Sequence, residues 1–261
     1  MTTAATHLFS HVSPWALAGV LGLLGSAWAL SSWQRLGISG ELWWSSLRAT
    51  VQLALMGFLL GWLFRQNSPP LLVFFLFLMI LTAGFFNRQR GAGIPHAYWI
   101  GTASILLATS ATLAWMLLSG LASLQGQSLV PIGGMIIGNA MNAVSLALNR
   151  LRSEIDQHED LLLAMLALGA SERMAVGQLY REIVRSSLIP TMDSLKSVGM
   201  IHIPGITAGM ILAGMPPLEA VSMQLVVMLM LTAAVSISVA SSVVLAGPLA
   251  VRFGPKETSR P

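Results

Sequence analysis

The sequence predicts an all-α, polytopic membrane protein of about seven transmembrane helices, with one helical hairpin projecting into the cytoplasm. Three observations lead there. Hydrophobic residues make up 55% of the chain and charged residues only 9%, against about 25% charged in an ordinary soluble domain, so the charge cannot coat an apolar interior in water. Seven apolar stretches come close to, or reach, the roughly 20 residues that a crossing helix takes. The basic residues fall overwhelmingly on one side of the membrane once those stretches are threaded through it.

The stretches run in order from Pro14 to Ser32, Trp43 to Phe64, Leu71 to Phe86, Ala97 to Leu121, Pro131 to Leu148, Leu188 to Gly214 and Leu218 to Leu245. The first lacks the basic n-region of a cleaved signal peptide and reads as a span. Proline stands at or near several starts (Pro14, Pro69, Pro95, Pro131, Pro190, Pro216 and Pro217), where a fixed φ and a missing N–H harm a helix least. Seven crossings leave room for a single membrane domain over residues 1–261 and for no large soluble one. With the N-terminus outside, Arg35, Arg88, Arg90, Arg150, Arg152, Arg173, Arg181, Arg185, Arg252, Lys256 and Arg260 are cytoplasmic and Arg65 alone is external, with Arg48 and Lys196 set aside as lying in or beside spans. The chain is therefore expected in a plasma membrane, the inner one in a Gram-negative cell, with its C-terminus cytoplasmic.

Arg150 to Ser187 is the one long polar segment and holds eleven of the 24 acidic and basic residues. It reads as two short amphipathic helices. Leu151, Ile155, Leu162 and Leu166 mark one apolar stripe, and Val176, Leu179, Ile183 and Ser187 the other. Between them stand Leu168, Gly169, Ala170, Ser171, Glu172 and Arg173. Gly169 can end the first helix in the left-handed conformation, and Ser171 can cap the second with Glu172 in its first turn.

Polar side chains inside hydrocarbon are costly and mark candidate paths. Arg48 and Gln52 share a face of the second span; Arg48 could equally snorkel to phosphates. In the fifth span, Met135, Asn139, Asn142 and Asn149 fall within roughly an 80° stripe at about 100° per residue, with Gly134 and Gly138 as a notch for close helix approach. That pattern suits a helix in the bundle interior, either bonding to its neighbours or lining a path. In the sixth, Asp193 and Lys196 can neutralise each other, and Pro204-Gly205 interrupts the helix, freeing carbonyls tolerable only in protein or a wet cavity. His202 beside the break is either a merely satisfied histidine or a metal ligand or proton carrier; no firm metal site emerges, and Met135, Met200 and Met210 offer only soft contacts.

Other functions are excluded by what is missing. The chain has no cysteine, hence no disulfide, thiolate metal site or cysteine nucleophile. Its two lysines occur as Leu195-Lys196-Ser197 and Pro255-Lys256-Glu257, neither of them a P-loop, and no zinc-hydrolase or serine-elbow motif is present. The net charge of +4 records orientation and contact with anionic lipid, not nucleic-acid binding.

RATVQL (Arg48 to Leu53), PIGGMIIGNAMNAVSLALNRL (Pro131 to Leu151), LALGAS, IPTMDSLKSVGMIHIPGITAGMILAG (Ile189 to Gly214) and Gln224 together resemble the FetB (YbbM) family of ABC-transporter permeases. The family is described as bacterial iron exporters, with plant relatives linked to aluminium tolerance. Where its members commonly read SLPGMM, this chain has His202 to Thr207. The resemblance implies a permease that binds no cofactor itself and pairs with a separate ATPase subunit carrying ATP and Mg, as two permeases and two ATPases. It further implies metal-ion export, iron first among candidates, by alternating access, with the turn from Leu168 to Arg173 receiving the stroke. A gradient-driven secondary transporter and a structural membrane subunit are the alternatives.

Overall fold

The computed structural model describes residues 13–34, 37, 39–66, 68–91, 93–121 and 124–252. Arg35, Lys256 and Arg260 lie outside them, as do the side chains of Glu172, Arg173 and Arg252. The described residues form α1 (Pro14–Trp33), α2 (Ser39–Gln66), α3 (Pro69–Arg90), α4 (Ala97–Leu118), α5 (Gly126–Gln157), α6 (Glu159–Ala167), α7 (Glu172–Ser197), α8 (Gly205–Leu212) and α9 (Pro217–Arg252), with no strand among them. The all-α, polytopic class is as the sequence predicts. Five helices, α2, α3, α4, α5 and α9, are long and apolar enough to cross a membrane, and α1 adds a shorter apolar helix. The predicted sixth crossing is divided between the end of α7 and α8, with the interruption near Pro204-Gly205 that the sequence predicts.

Two compact units divide the chain, Met1–Gln66 and Asn67–Pro261. In the first, α1 packs on α2, and Trp28, Leu30, Trp43, Trp44, Leu53 and Leu55 are exposed. Such a surface is costly in water and at home in hydrocarbon.

The second unit is built on α5, which packs against α3, α4, α7 and α9. Ile136, Ala140, Val144, Ala147, Leu148 and Leu151 are fully or nearly fully buried on one side of it. Small residues bring the helices close. A Cβ on Gly133 would sit 2.6 Å from Leu76, and one on Gly101 2.7 Å from Asn87 Nδ2; Gly84 packs on Thr102. The close approach falls at Gly133 and not at the predicted notch: among the described residues a Cβ on Gly138 meets nothing within 4 Å, and one on Gly134 only Met79 of α3 at 3.4 Å, an ordinary contact. Buried Asn87 accepts a hydrogen bond from Ser145 across that packed face. At the other side of the unit, α7 and α9 run antiparallel, with Tyr180 against Gly247 and Thr207 bonded to Gln224.

Proline marks the first residue of α1, α3 and α9 as predicted, but Pro131 and Pro190 lie inside α5 and α7. Each loses one backbone bond there. The rest of the helix and its packing outweigh that loss, which is about 3 kcal/mol for an exposed interior position.

The polar segment from Arg150 to Ser187 also differs from the two short helices expected. Nothing between Gly138 and Gln157 breaks a helix, so Leu151 and Ile155 belong to the tail of α5, which runs 32 residues, about 48 Å at the usual rise. The chain interrupts at His158 and resumes as the nine-residue α6. The second predicted helix is likewise the start of α7, which continues for 26 residues into the expected sixth span. The apolar stripes are largely as read: Leu151, Ile155, Leu162, Val176, Ile183 and Ser187 are buried, while Leu166 and Leu179 are half-buried.

Candidate functional site: a polar groove between α5, α7 and α9

The second unit holds an open groove of about 720 Å³. Three helices supply its walls, each through residues at helical spacing. Met135, Asn139, Asn142 and Leu146 come from α5; Ser187, Pro190, Thr191 and Ser194 from α7; Gln224, Met228, Leu231, Thr232 and Val235 from α9. His202, Pro204, Gly205 and Ile206 close it at the junction of α7 and α8. Among the described residues its lining contains no carboxylate, lysine or arginine, and His202 is the one titratable side chain in it.

The amide stripe of α5 is on the face opposite the buried aliphatic one. Asn139 and Asn142 are exposed in the single chain, and Asn139 Nδ2 donates to the Met135 carbonyl at 2.9 Å. The helix is central, as its composition suggested, yet its amides are not sealed inside the bundle. They face open groove because α3 and α4 pack on the other side.

The break between α7 and α8 begins at Ser197, seven residues before the Pro204-Gly205 pair. Gly199, at φ +80°, lets the chain reverse, and its N–H donates to the His202 carbonyl at 3.1 Å. The Ser197 carbonyl accepts from Ile201 at 2.9 Å and Met200 at 3.3 Å. The interruption is thus an ordered turn whose backbone groups are largely satisfied. His202 is exposed, with Nδ1 3.4 Å from Ser197 Oγ. Beyond the turn, Thr207 Oγ1 donates to Gln224 Oε1 at 3.1 Å, both side chains being buried.

Of the residues singled out by sequence, the structure brings Met135, Asn139, Asn142 and His202 together on the groove. Asp193 and Lys196 are not in its lining; they form an exposed pair at 3.7 Å, of the kind worth little in isolation. Arg48 and Gln52 are exposed on α2 of the N-terminal unit, whereas the groove is built from the C-terminal unit alone. Met200 and Met210 do not line it. Among the described residues no three His, Cys, Asp or Glu side chains cluster as a metal site. Residue-by-residue reading missed Ser187 as a groove residue, along with Thr191, Ser194, Met228 and Thr232. The signal was available in the i, i+4, i+8 spacing of Gln224, Met228 and Thr232, which periodicity alone cannot separate from core.

The hairpin turn is closed as the sequence indicated. Gly169 has φ +93°, its N–H donates to Leu166 O at 2.9 Å, and that of Ala170 to Met165 O at 3.0 Å, the paired bonds of a Schellman motif. Ser171 caps α7 by accepting from the Met174 N–H at 3.3 Å. Leu168, an apolar side chain at the tip, is 89% exposed among the described residues.

A bundle of long apolar helices with a polar groove and a polar helical hairpin defines a polytopic, transport-type membrane protein. The profile described as "Uncharacterised protein family (UPF0014)" matches residues 14–248, and the chain belongs to that family. It is 33% identical over 223 residues to "Probable iron export permease protein FetB" of Escherichia coli (strain K12), covering 85% of this chain and 86% of that one. It is 34% identical over 241 residues to "UPF0014 membrane protein STAR2" of Oryza sativa subsp. japonica, covering 92% and 84%. It is 35% identical over 219 residues to "Protein ALUMINUM SENSITIVE 3" of Arabidopsis thaliana, covering 84% and 80%. No solved structure gives a significant match.

Proposed function

We propose that this chain is the membrane-spanning permease subunit of an ATP-driven exporter of metal ions such as iron, working by alternating access with a separate ATPase subunit. One observation carries the reading: two walls of the groove, α5 and α7, continue unbroken into the cytoplasmic hairpin. A helix transmits displacement along its axis where a loop would absorb it. A push on the turn from Leu168 to Arg173 therefore moves Ser187 and Thr191 of α7 directly, and reaches Asn139 and Asn142 through α6, across the break at His158, and through the packing of α5 on α7.

The turn is suited to receive such a push. Its Schellman closure and serine cap hold it in one conformation, and Leu168 offers an apolar knob for a groove on a partner. The chain has no P-loop, so nucleotide and Mg belong to that partner. Met135, Asn139, Asn142 and His202 are the path residues of this proposal. A second copy of the chain closes the open side of the groove, since exposed amides in hydrocarbon are costly. Asp193 with Lys196, and Arg48 with Gln52, then meet that copy or lipid headgroups. The name of the E. coli relative supports iron as cargo.

The test is copurification followed by transport. The chain should copurify with a P-loop ATPase, and the reconstituted pair should move iron into inverted vesicles only with ATP. Gradient-driven flux without ATP, or no ATPase partner, would refute the reading.

A further inference from the structure

We infer that the loop joining α3 to α4 forms a headgroup site for one anionic phospholipid, with Arg88 and His96 on its phosphate and Trp99 against the start of its acyl chains. The site lies outside the groove, and neither cargo nor ATPase enters its argument.

The first ground is a cavity whose charge the chain does not neutralise. Arg88 at the end of α3, Gly93 and His96 in the loop, and Tyr98 and Trp99 in α4 line an open cavity of about 450 Å³. No residue from Leu42 to Ser153 is acidic. The acids at the end of α5 have other partners: Asp156 pairs with Arg152 at 2.7 Å, and Glu154 lies 3.5 Å from His158. Among the described residues Arg88 and His96 make no ion pair and no side-chain hydrogen bond. A guanidinium is charged at any working pH, and its planar fork matches two phosphate oxygens at once.

The second ground is that the cavity is held in shape. Gly91 is buried, its N–H donates to the Asn87 carbonyl at 2.8 Å, and a Cβ on it would press on Ala97 and Leu148 at 3.1 and 3.2 Å. Ile94 is buried and donates to the Gly91 carbonyl at 3.0 Å. Gly93, at φ +97°, lies against the Arg152 guanidinium so closely that a side chain there would collide with it. Arg152 is therefore engaged by Asp156 and the loop and acts as a positioning residue. His96, at φ +59°, is the one non-glycine residue at positive φ among the described residues, a conformation uncommon for a side chain of its size. A cavity fixed in this way loses little freedom when a ligand enters.

The third ground is the apolar surface that continues from the charge. Both α3 and α4 are long and apolar enough to cross a membrane, so the loop between them lies at its boundary. On α3, Phe85, three residues before Arg88, is 50% exposed. On α4, Trp99, Ala103 and Leu106 recur at helical spacing and are all exposed. Trp99 meets Tyr98 edge to face with ring centroids 4.9 Å apart, and tryptophan favours the headgroup level of a bilayer. An occupant that meets Arg88 and continues along these side chains has an anionic head and an apolar tail. A phospholipid has both; free phosphate or an acidic protein surface has the head alone. Basic pockets at the ends of spans take such headgroups.

The full chain in detergent would be titrated with phosphatidylglycerol, phosphatidylcholine and inorganic phosphate, and the bound molecules counted by native mass spectrometry. The wild type should retain one phosphatidylglycerol at least about tenfold more tightly than phosphatidylcholine. Arg88→Gln and Trp99→Ala should each weaken that binding at least about fivefold. His96→Asn, which tolerates the left-handed conformation, should weaken it at least about twofold. Arg88→Lys keeps the charge without the fork and should fall between wild type and Arg88→Gln; it decides the matter if Arg88→Gln does not fold. Arg65→Gln removes an exposed arginine of α2, outside the cavity, and should change nothing. Phosphatidylglycerol should also raise the thermal transition of the wild type and not that of Arg88→Gln. The inference is overturned if the two lipids bind alike, if Arg65→Gln weakens binding as much as Arg88→Gln, or if inorganic phosphate at equal concentration displaces the lipid, which would make this a site for a free anion.

Discussion

The two faces of α5 carry the same kinds of residue to opposite ends. Toward α3, Gly133 lets Leu76 reach the backbone, and Ser145 donates to a wholly buried Asn87. Toward the groove, Gly138 touches nothing, and Asn139 and Asn142 stand exposed. Glycine and polar side chains are structural on one face and available on the other. The difference follows from what packs against each face, and it separates a residue whose loss unfolds the protein from one whose loss stops its work.

The largest effect expected is functional and confined to the groove face. Replacing Asn139 and Asn142 together by Leu should abolish ATP-driven transport while the amount of folded protein and its association with the ATPase stay near normal. Full transport at comparable expression would remove both residues from the path. If folded protein falls instead, by the roughly 1–2 kcal/mol of lost interhelical bonding, the two amides belong with Asn87 on the structural side of the comparison.

Gly169→Val should come next. A β-branched residue at φ +93° is strained by about 1–2 kcal/mol, enough to distort the Schellman turn without unfolding α5 or α7. Transport should drop at least tenfold while ATP hydrolysis persists or the ATPase dissociates. Normal transport, together with no crosslink from Ala170→Cys to the ATPase in any nucleotide state, would show that the hairpin rests on lipid.

On the packed face the losses should appear as stability. Gly133→Val drives a side chain into Leu76 and should cost about 1–3 kcal/mol, seen as a lower thermal transition in detergent. Ser145→Ala leaves the Asn87 oxygen without its donor and should cost about 1–3 kcal/mol by the same assay. The smallest change is the control: Gly138→Ala, on the open face, should be neutral or stabilising by up to about 1 kcal/mol. A large destabilisation there would mean that a neighbour closes against α5 at this position, and the contrast between its faces would need redrawing.

The topology is tested separately. A C-terminal tag should be reachable only from the cytoplasm, because eleven basic residues lie on that side in the predicted arrangement and one on the other. Access only from outside would invert it and with it the assignment of the hairpin.

Features governed by residues close in the chain were legible from the sequence. The cap at Ser171, the left-handed Gly169 and the buried stripe of Val176, Ile183 and Ser187 each follow from a few neighbouring residues and the helical repeat. So did the apolar character of the spans, which composition alone dictates. Tertiary structure decided the rest. Periodicity grouped Met135, Asn139 and Asn142 on one stripe but could not say whether a neighbour covers it, since that depends on α3 and α4 taking the opposite face. It could not choose Gly133 over Gly134 and Gly138, because which glycine admits a neighbour depends on which side chain arrives. Nor could it show that the polar hairpin is the continuation of two groove helices: polar residues after Leu148 look like the end of a span, yet a helix ends only where its backbone bonds are interrupted, here at His158 and Ser197.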